Sequence, residues 1–128
     1  MHSLRQRINA RDESGFTLIE LLVVLIIIGV LLAIAVPSYL GFKDRAEAKA
    51  SAADVRSAIP DAEAYFSDNN TYVGMDAAAL LAIDSGISPA VTPANQTATS
   101  YCLAATVGTH TSHVNGPGGT VTPDNGGC

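Results

Sequence analysis

The sequence predicts an α+β fold: a long amino-terminal helix, apolar in its first half and amphipathic in its second, packed against a small carboxyl-terminal antiparallel β-sheet. Three observations carry that expectation. Phe16 to Val36 is apolar apart from Glu20; Ala48 to Phe66 places its apolar residues at helical spacing; and from Ser88 onward the composition shifts to Thr, Ser, Gly, Asn and Pro around short strand-like runs. Three segments follow: 1–15, a polar leader; 16–37, an apolar helix able to span a membrane; and 38–128, one small domain that includes the second half of the long helix. A domain of that size buries a modest core and often needs a covalent staple.

The leader holds Arg5, Arg7 and Arg11 beside His2, Asp12 and Glu13, a positive bias that places this end on the cytoplasmic side. The following apolar run, from Phe16 to Val36, reaches roughly 31 Å as a helix, about the thickness of a hydrocarbon core. Pro37 closes the run by removing a backbone donor. An ordinary secretory signal is cut after its apolar region, whereas the one plausible junction here, Gly15 to Phe16, precedes it, so cleavage would remove the leader and keep the helix. Glu20 costs about 1 to 3 kcal/mol near a membrane helix end and calls for a partner. No Lys, Arg or His lies between Phe16 and Tyr39, which leaves a cation from a neighbouring chain or a new amino terminus at Phe16. An uncleaved anchor whose Glu20 reaches the headgroups is the bland alternative, and it explains none of the spacings.

Gly15-Phe16-Thr17-Leu18-Ile19-Glu20, the run Leu21 to Gly29 and Ala35-Val36-Pro37-Ser38-Tyr39 together resemble the class III signal and first helix of type IV pilins and pseudopilins. The resemblance implies a type IV pilin-like fold, cleavage after Gly15 by a prepilin peptidase and N-methylation of Phe16. It also implies that Glu20 neutralises the Phe16 ammonium of an adjacent copy during assembly. Gly29 and Pro37 match the family's two helix-weakening positions. Implied partners are copies of the chain in a helical filament, the peptidase and methyltransferase, an assembly platform with its motor, and the membrane before assembly. Localisation would be the cytoplasmic membrane first, single-pass with the amino terminus inside, then an extracellular filament or the cell surface.

Beyond Pro37 the pattern is amphipathic. Ala48, Ala52, Val55, Ile59, Ala62 and Phe66 form one stripe, and the helix is expected to run to about Ser67 with a kink at Pro60. Asp68-Asn69-Asn70-Thr71 reads as a turn, and Met75 to Ile83 as a short helix capped by Asp76 and ended by Gly86. Tyr101 to Val107 is the strongest strand candidate; Thr111 to Val114 and Thr120 to Thr122 are weaker ones, separated by the turn Gly116-Pro117-Gly118-Gly119.

Cys102 and Cys128 are the two cysteines, and both fall in the exported part, where disulfides persist. A bridge would close the carboxyl-terminal loop, as in many type IV pilins. Unpaired thiols or a metal site are the alternatives, although the CxxC spacing of zinc sites is missing. His110 and His113 read as turn histidines, Asp124 and Asn125 as too few oxygens for calcium, and Asp61 and Glu63 as solvated. Neither a metal nor another cofactor is expected, and Asn69-Asn70-Thr71 and Asn95-Gln96-Thr97 fit a glycosylation pattern common by chance.

The chain carries net charge −5; the leader holds three of its seven Lys and Arg and two of its twelve Asp and Glu, so the remainder carries −6. Residues 68–128 contain no Lys or Arg, which argues against nucleic-acid binding and against a DNA-uptake role. No phosphate loop, nucleophile elbow or Cys–His dyad is present, so no enzyme is expected. The function read from the sequence is a structural subunit of a type IV pilus serving adhesion or twitching motility; a type II secretion pseudopilin is the alternative.

Overall fold

A computed structural model describes residues 15–128; the leader, apart from Gly15, lies outside the described residues. Two helices and three strands are present: α1 (Leu18–Asn69), α2 (Ala77–Ile83), β1 (Val91–Ala94), β2 (Tyr101–Val107) and β3 (His110–Gly116). This is an α+β, type IV pilin-like fold. The chain divides into two compact units, one ending at Gly41 and the other spanning Phe42–Cys128.

The first unit is helix from Leu18 onward. Its start is a capping box: Thr17 Oγ1 accepts the Glu20 N–H at 3.3 Å, and a Glu20 carboxylate oxygen accepts the Thr17 N–H at 3.3 Å. Phe16 and the Leu, Ile and Val side chains that follow are exposed in the single chain, from 45% at Val36 to 83% at Leu18. By length and composition this helix is able to cross a membrane. Pro37 ends the apolar run yet does not end the helix. Its missing N–H leaves the Ala33 carbonyl without its ladder partner, and Ser38 Oγ donates to the Ile34 carbonyl next to it at 3.3 Å.

In the second unit the carboxyl-terminal part of α1 supplies Ala52, Val55, Ala58 and Ala62 to a core completed by Tyr72, Met75, Leu80, Val91, Tyr101, Leu103, Ala105, Val114 and Val121. The expected stripe is therefore real, with Ile59 and Phe66 at its half-buried margin. It is broader than predicted, because Ser51, Ala58 and Asp61 are also buried. The helix passes through Pro60 as a single element. It ends at Asn69 with Asn70 in the left-handed region (φ 57°), whose N–H returns to the Phe66 carbonyl at 2.7 Å. Phe66, Tyr72 and Tyr101 stack beyond it, each successive ring pair 4.7 Å apart.

Asp76 caps α2 by accepting the Ala79 N–H at 2.8 Å, as expected. The helix stops at Asp84 rather than Gly86: the Asp84 N–H closes on Leu80, and the Asp84 carboxylate accepts the Gly86 N–H at 2.9 Å. The sheet is an antiparallel meander in the order β1-β2-β3. Tyr101, Leu103 and Ala105 face the core, so the alternate residues Cys102 and Ala104 face away from it. β2 and β3 lie where the sequence placed strands. β1 was not foreseen, since Pro93 argues against a strand; as an edge strand it tolerates the missing donor. Thr120 to Thr122, expected as a strand, is not one. Val121 is buried in the core and its carbonyl accepts from Arg56 Nη2 at 2.9 Å, while the open edge of β3 is taken by residues 124–126 instead.

Candidate functional site

The expected processing and assembly residues lie at the head of α1. Gly15 and Phe16 precede the helix, and Phe16 is 80% exposed. Glu20 sits on its first turn, where a carboxylate complements the helix dipole. Within the single chain Glu20 also has a neutral partner, the Thr17 N–H. Capping boxes carry a sequence signature, Thr17-x-x-Glu20, which a search for a counter-charge overlooks. Gly29 and Pro37 are both helical within α1.

At the other end of the chain Cys102 and Cys128 are joined, their Cα atoms 6.0 Å apart, closing a loop of sequence separation 26. Residues 124–126 lie along the outer edge of β3 and take up the backbone groups of Thr111 and His113. The Thr111 N–H donates to Asp124 Oδ1 at 3.3 Å and the Thr111 carbonyl accepts from the Gly126 N–H at 2.9 Å. The His113 N–H donates to Asn125 Oδ1 at 2.8 Å and the His113 carbonyl accepts from Asn125 Nδ2 at 3.1 Å. The Asp124 N–H donates to Ser112 Oγ at 2.8 Å, and that hydroxyl meets the buried Ser51 Oγ of α1 at 2.6 Å. Period-two geometry explains the pattern: Thr111 and His113 turn their backbone outward, while Ser112 turns its side chain inward.

His110 and His113 are therefore strand residues, not turn residues. His113 Nδ1 lies 2.8 Å from the Gly126 carbonyl. His110 lies between two carboxylates, with Nε2 2.6 Å from Asp44 Oδ1 on α1 and Nδ1 3.0 Å from Asp124 Oδ2. Those hydrogen bonds, Asp44 first and Asp124 second, raise its pKa above the ordinary 6.5, and the same ring holds Asp124 below the usual carboxylate value. Local spacing gives no hint of this cluster, because Asp44 and His110 stand 66 residues apart. The oxygens of Asp124 and Asn125, weighed for calcium, are engaged with β3 and His110. Among the described residues no three His, Cys, Asp or Glu side chains are arranged to hold a metal ion.

Two acids expected to be solvated are not free. Asp61 is only 9% exposed, and its Oδ2 has no hydrogen-bond partner. Burial, then Asp84, push its pKa above the usual 3.8. Glu63 accepts the Tyr72 hydroxyl at 3.0 Å and the Tyr101 hydroxyl at 3.3 Å. Burial first and Glu63 second raise both phenols above their ordinary range.

The family model for the prokaryotic N-terminal methylation motif matches residues 10–36. The chain is 39% identical over 102 residues to the type IV wide pilus major component PilA4 of Thermus thermophilus, covering 74% of each. It is 37% identical over 62 residues to the type II secretion system core protein G of Aeromonas hydrophila, covering 48% of this chain and 43% of that one. A third relative, the type IV major pilin protein PilA of Myxococcus xanthus, is 36% identical over 66 residues, covering 52% of this chain and 30% of that one. An apolar, motif-bearing helix joined to a small disulfide-closed α+β domain defines a class of filament-type subunits. The chain belongs to the type IV pilin and pseudopilin family.

Proposed function

We propose that the chain is a structural, non-enzymatic subunit of a type IV pilus, made as a membrane-held precursor and polymerised through its amino-terminal helix. The observation that carries this reading is the 102-residue match to a major pilus component, which is too long to be confined to the apolar helix and must include the exported domain. A pseudopilin of a type II secretion system is the second reading, favoured by the matches to protein G, which cover about half of this chain.

In this proposal residues 1–15 are removed by a prepilin peptidase that cuts between Gly15 and Phe16, and Phe16 is then N-methylated. The segment 16–37 is held in the membrane and afterwards in the filament core, and 38–128 is exported. Copies of the chain, the peptidase and an assembly platform with its motor are the partners. The bare apolar side chains of α1 support transfer from lipid to filament, since both surroundings are apolar. Gly29 and Pro37 are the positions at which α1 would loosen among its copies, and adhesion or motility would be the use of the finished filament.

Glu20 is the residue on which registry rests, and its capping role supplies a discriminating experiment. Glu20→Gln keeps an acceptor for the Thr17 N–H and loses the charge, whereas Glu20→Val loses both. Sheared wild-type filaments should yield a peptide beginning at methylated Phe16. Both variants should accumulate the processed chain in the membrane and form at least roughly tenfold fewer filaments. Normal filaments from Glu20→Gln would show that the cap, not the charge, is what assembly needs.

A further inference from the structure

We propose that Asp44, His110 and Asp124 form a proton-operated latch: the imidazolium ties the disulfide-closed terminal segment to α1, and loss of one proton to solvent costs the ring one of its two carboxylate contacts. The geometry supplies the reason. An imidazolium donates from both nitrogens, and here each nitrogen has a carboxylate within reach, Asp44 at 2.6 Å and Asp124 at 3.0 Å. A neutral ring keeps one N–H, so it can hold one carboxylate and must turn a lone pair toward the other. The Asp124 contact is one of distance rather than alignment, since the buried Nδ1 has no hydrogen-bond partner among the described residues, so the charge of the imidazolium is what holds that carboxylate.

The surrounding charges reinforce the protonated state. From α1, Asp44 and Glu47 lie on this side, with Lys43 3.9 Å from Glu47. Glu47 reaches the β2–β3 turn, where any side chain at Gly108 would run into its carboxylate. The terminal segment contributes Asp124, and β3 contributes His113, which contacts the Gly126 carbonyl instead of an acid. Two carboxylates thus stand at one ring, while Glu47 sits at the neighbouring turn with Lys43 as its partner. A histidine whose folded-state pKa is raised stabilises fully below its ordinary 6.5, and that contribution disappears as pH climbs through the raised value. The latch is therefore closed below 6.5 and released above the raised value. Release acts on the strap itself, residues 124–126, which the bond between Cys128 and Cys102 still retains.

The test is an imidazole NMR titration and amide exchange on the full-length protein in detergent micelles. His110 should titrate above 6.5, and Asp44→Asn combined with Asp124→Asn should return its midpoint to the ordinary range. Protection factors of the Thr111 and Gly126 amides should fall roughly tenfold between about pH 5.5 and about pH 8.5 in the wild type. They should stay level in His110→Gln, and His113→Gln should behave as wild type. A His110 midpoint at or below 6.5, or an equal loss of protection in wild type and His110→Gln, would overturn the latch.

Discussion

At Asp61 a single buried carboxylate reverses what its sequence neighbourhood suggests. Two acids spaced two apart on an exposed-looking helix read as solvated, yet Asp61 points into the packed side of α1, where its Oδ2 lacks a hydrogen-bond partner and burial first, then Asp84, favour its protonated form, as a proton shared with Asp84 would. A carboxyl whose pKa is raised on folding stabilises below its ordinary 3.8 and loses that contribution as pH rises through the shifted value. Near neutral pH the ionised Asp61 is thus a cost. Asp61→Asn, which brings its own N–H donors toward Asp84, should raise the melting temperature at pH 7 by roughly 2 to 6 °C, with the gain shrinking near about pH 3.5. Calorimetry at the two pH values checks this; a variant melting at or below the wild type at pH 7 would count against a shared proton. The stripe itself was legible, because Ala52, Val55 and Ala62 need only helical spacing to be placed. Asp61 was not, since burial of an acid depends on what the short helix and its loop bring over it.

Among the elements, legibility followed local chemistry. Tyr101 to Val107 announces a strand by composition, and Asp76 announces a helix start by its capping geometry. β1 defies propensity: four residues with a proline become a strand only because Val91 is drawn into the core beside β2. Thr120 to Thr122 has strand composition and no free edge to join. The β2–β3 turn shows how a loop is set by distant residues. Gly108 holds φ +62°, a left-handed conformation, directly against Glu47 of α1. Gly108→Ala should cost about 1 to 2 kcal/mol from the backbone alone, with more from the collision. Chemical denaturation would register the loss, and adding Glu47→Ala should recover the collision part; no recovery would mean the approach of helix and turn is looser than described.

Over the molecule as a whole, the two ends are governed by different forces. The amino-terminal unit has an apolar surface that only lipid or other copies would cover. The carboxyl-terminal unit is small and cross-linked, and it draws residues 124–126 back onto β3. Replacing both cysteines, Cys102→Ser with Cys128→Ser, should lower the stability of the exported domain by about 3 kcal/mol on the chain-entropy estimate. A denaturant midpoint unchanged from the oxidised wild type would show that the terminal hydrogen bonds suffice alone. The partnership of the cysteines was readable from their number and compartment. The hydrogen bonds laid along β3 were not, because Asp124 and Asn125 mimic a backbone ladder with their side chains.

Crowding gives those two sheet margins a meaning that a lone molecule does not reveal. A polymer of the proposed kind would hold thousands of identical domains at very high local concentration, conditions under which an unpaired strand invites cross-β zippering. Here one flank presents Pro93, which has no amide to offer, and the other is sealed by the tail. Lateral cohesion between neighbours is thereby delegated to side chains, which can drift in evolution without opening a route to amyloid.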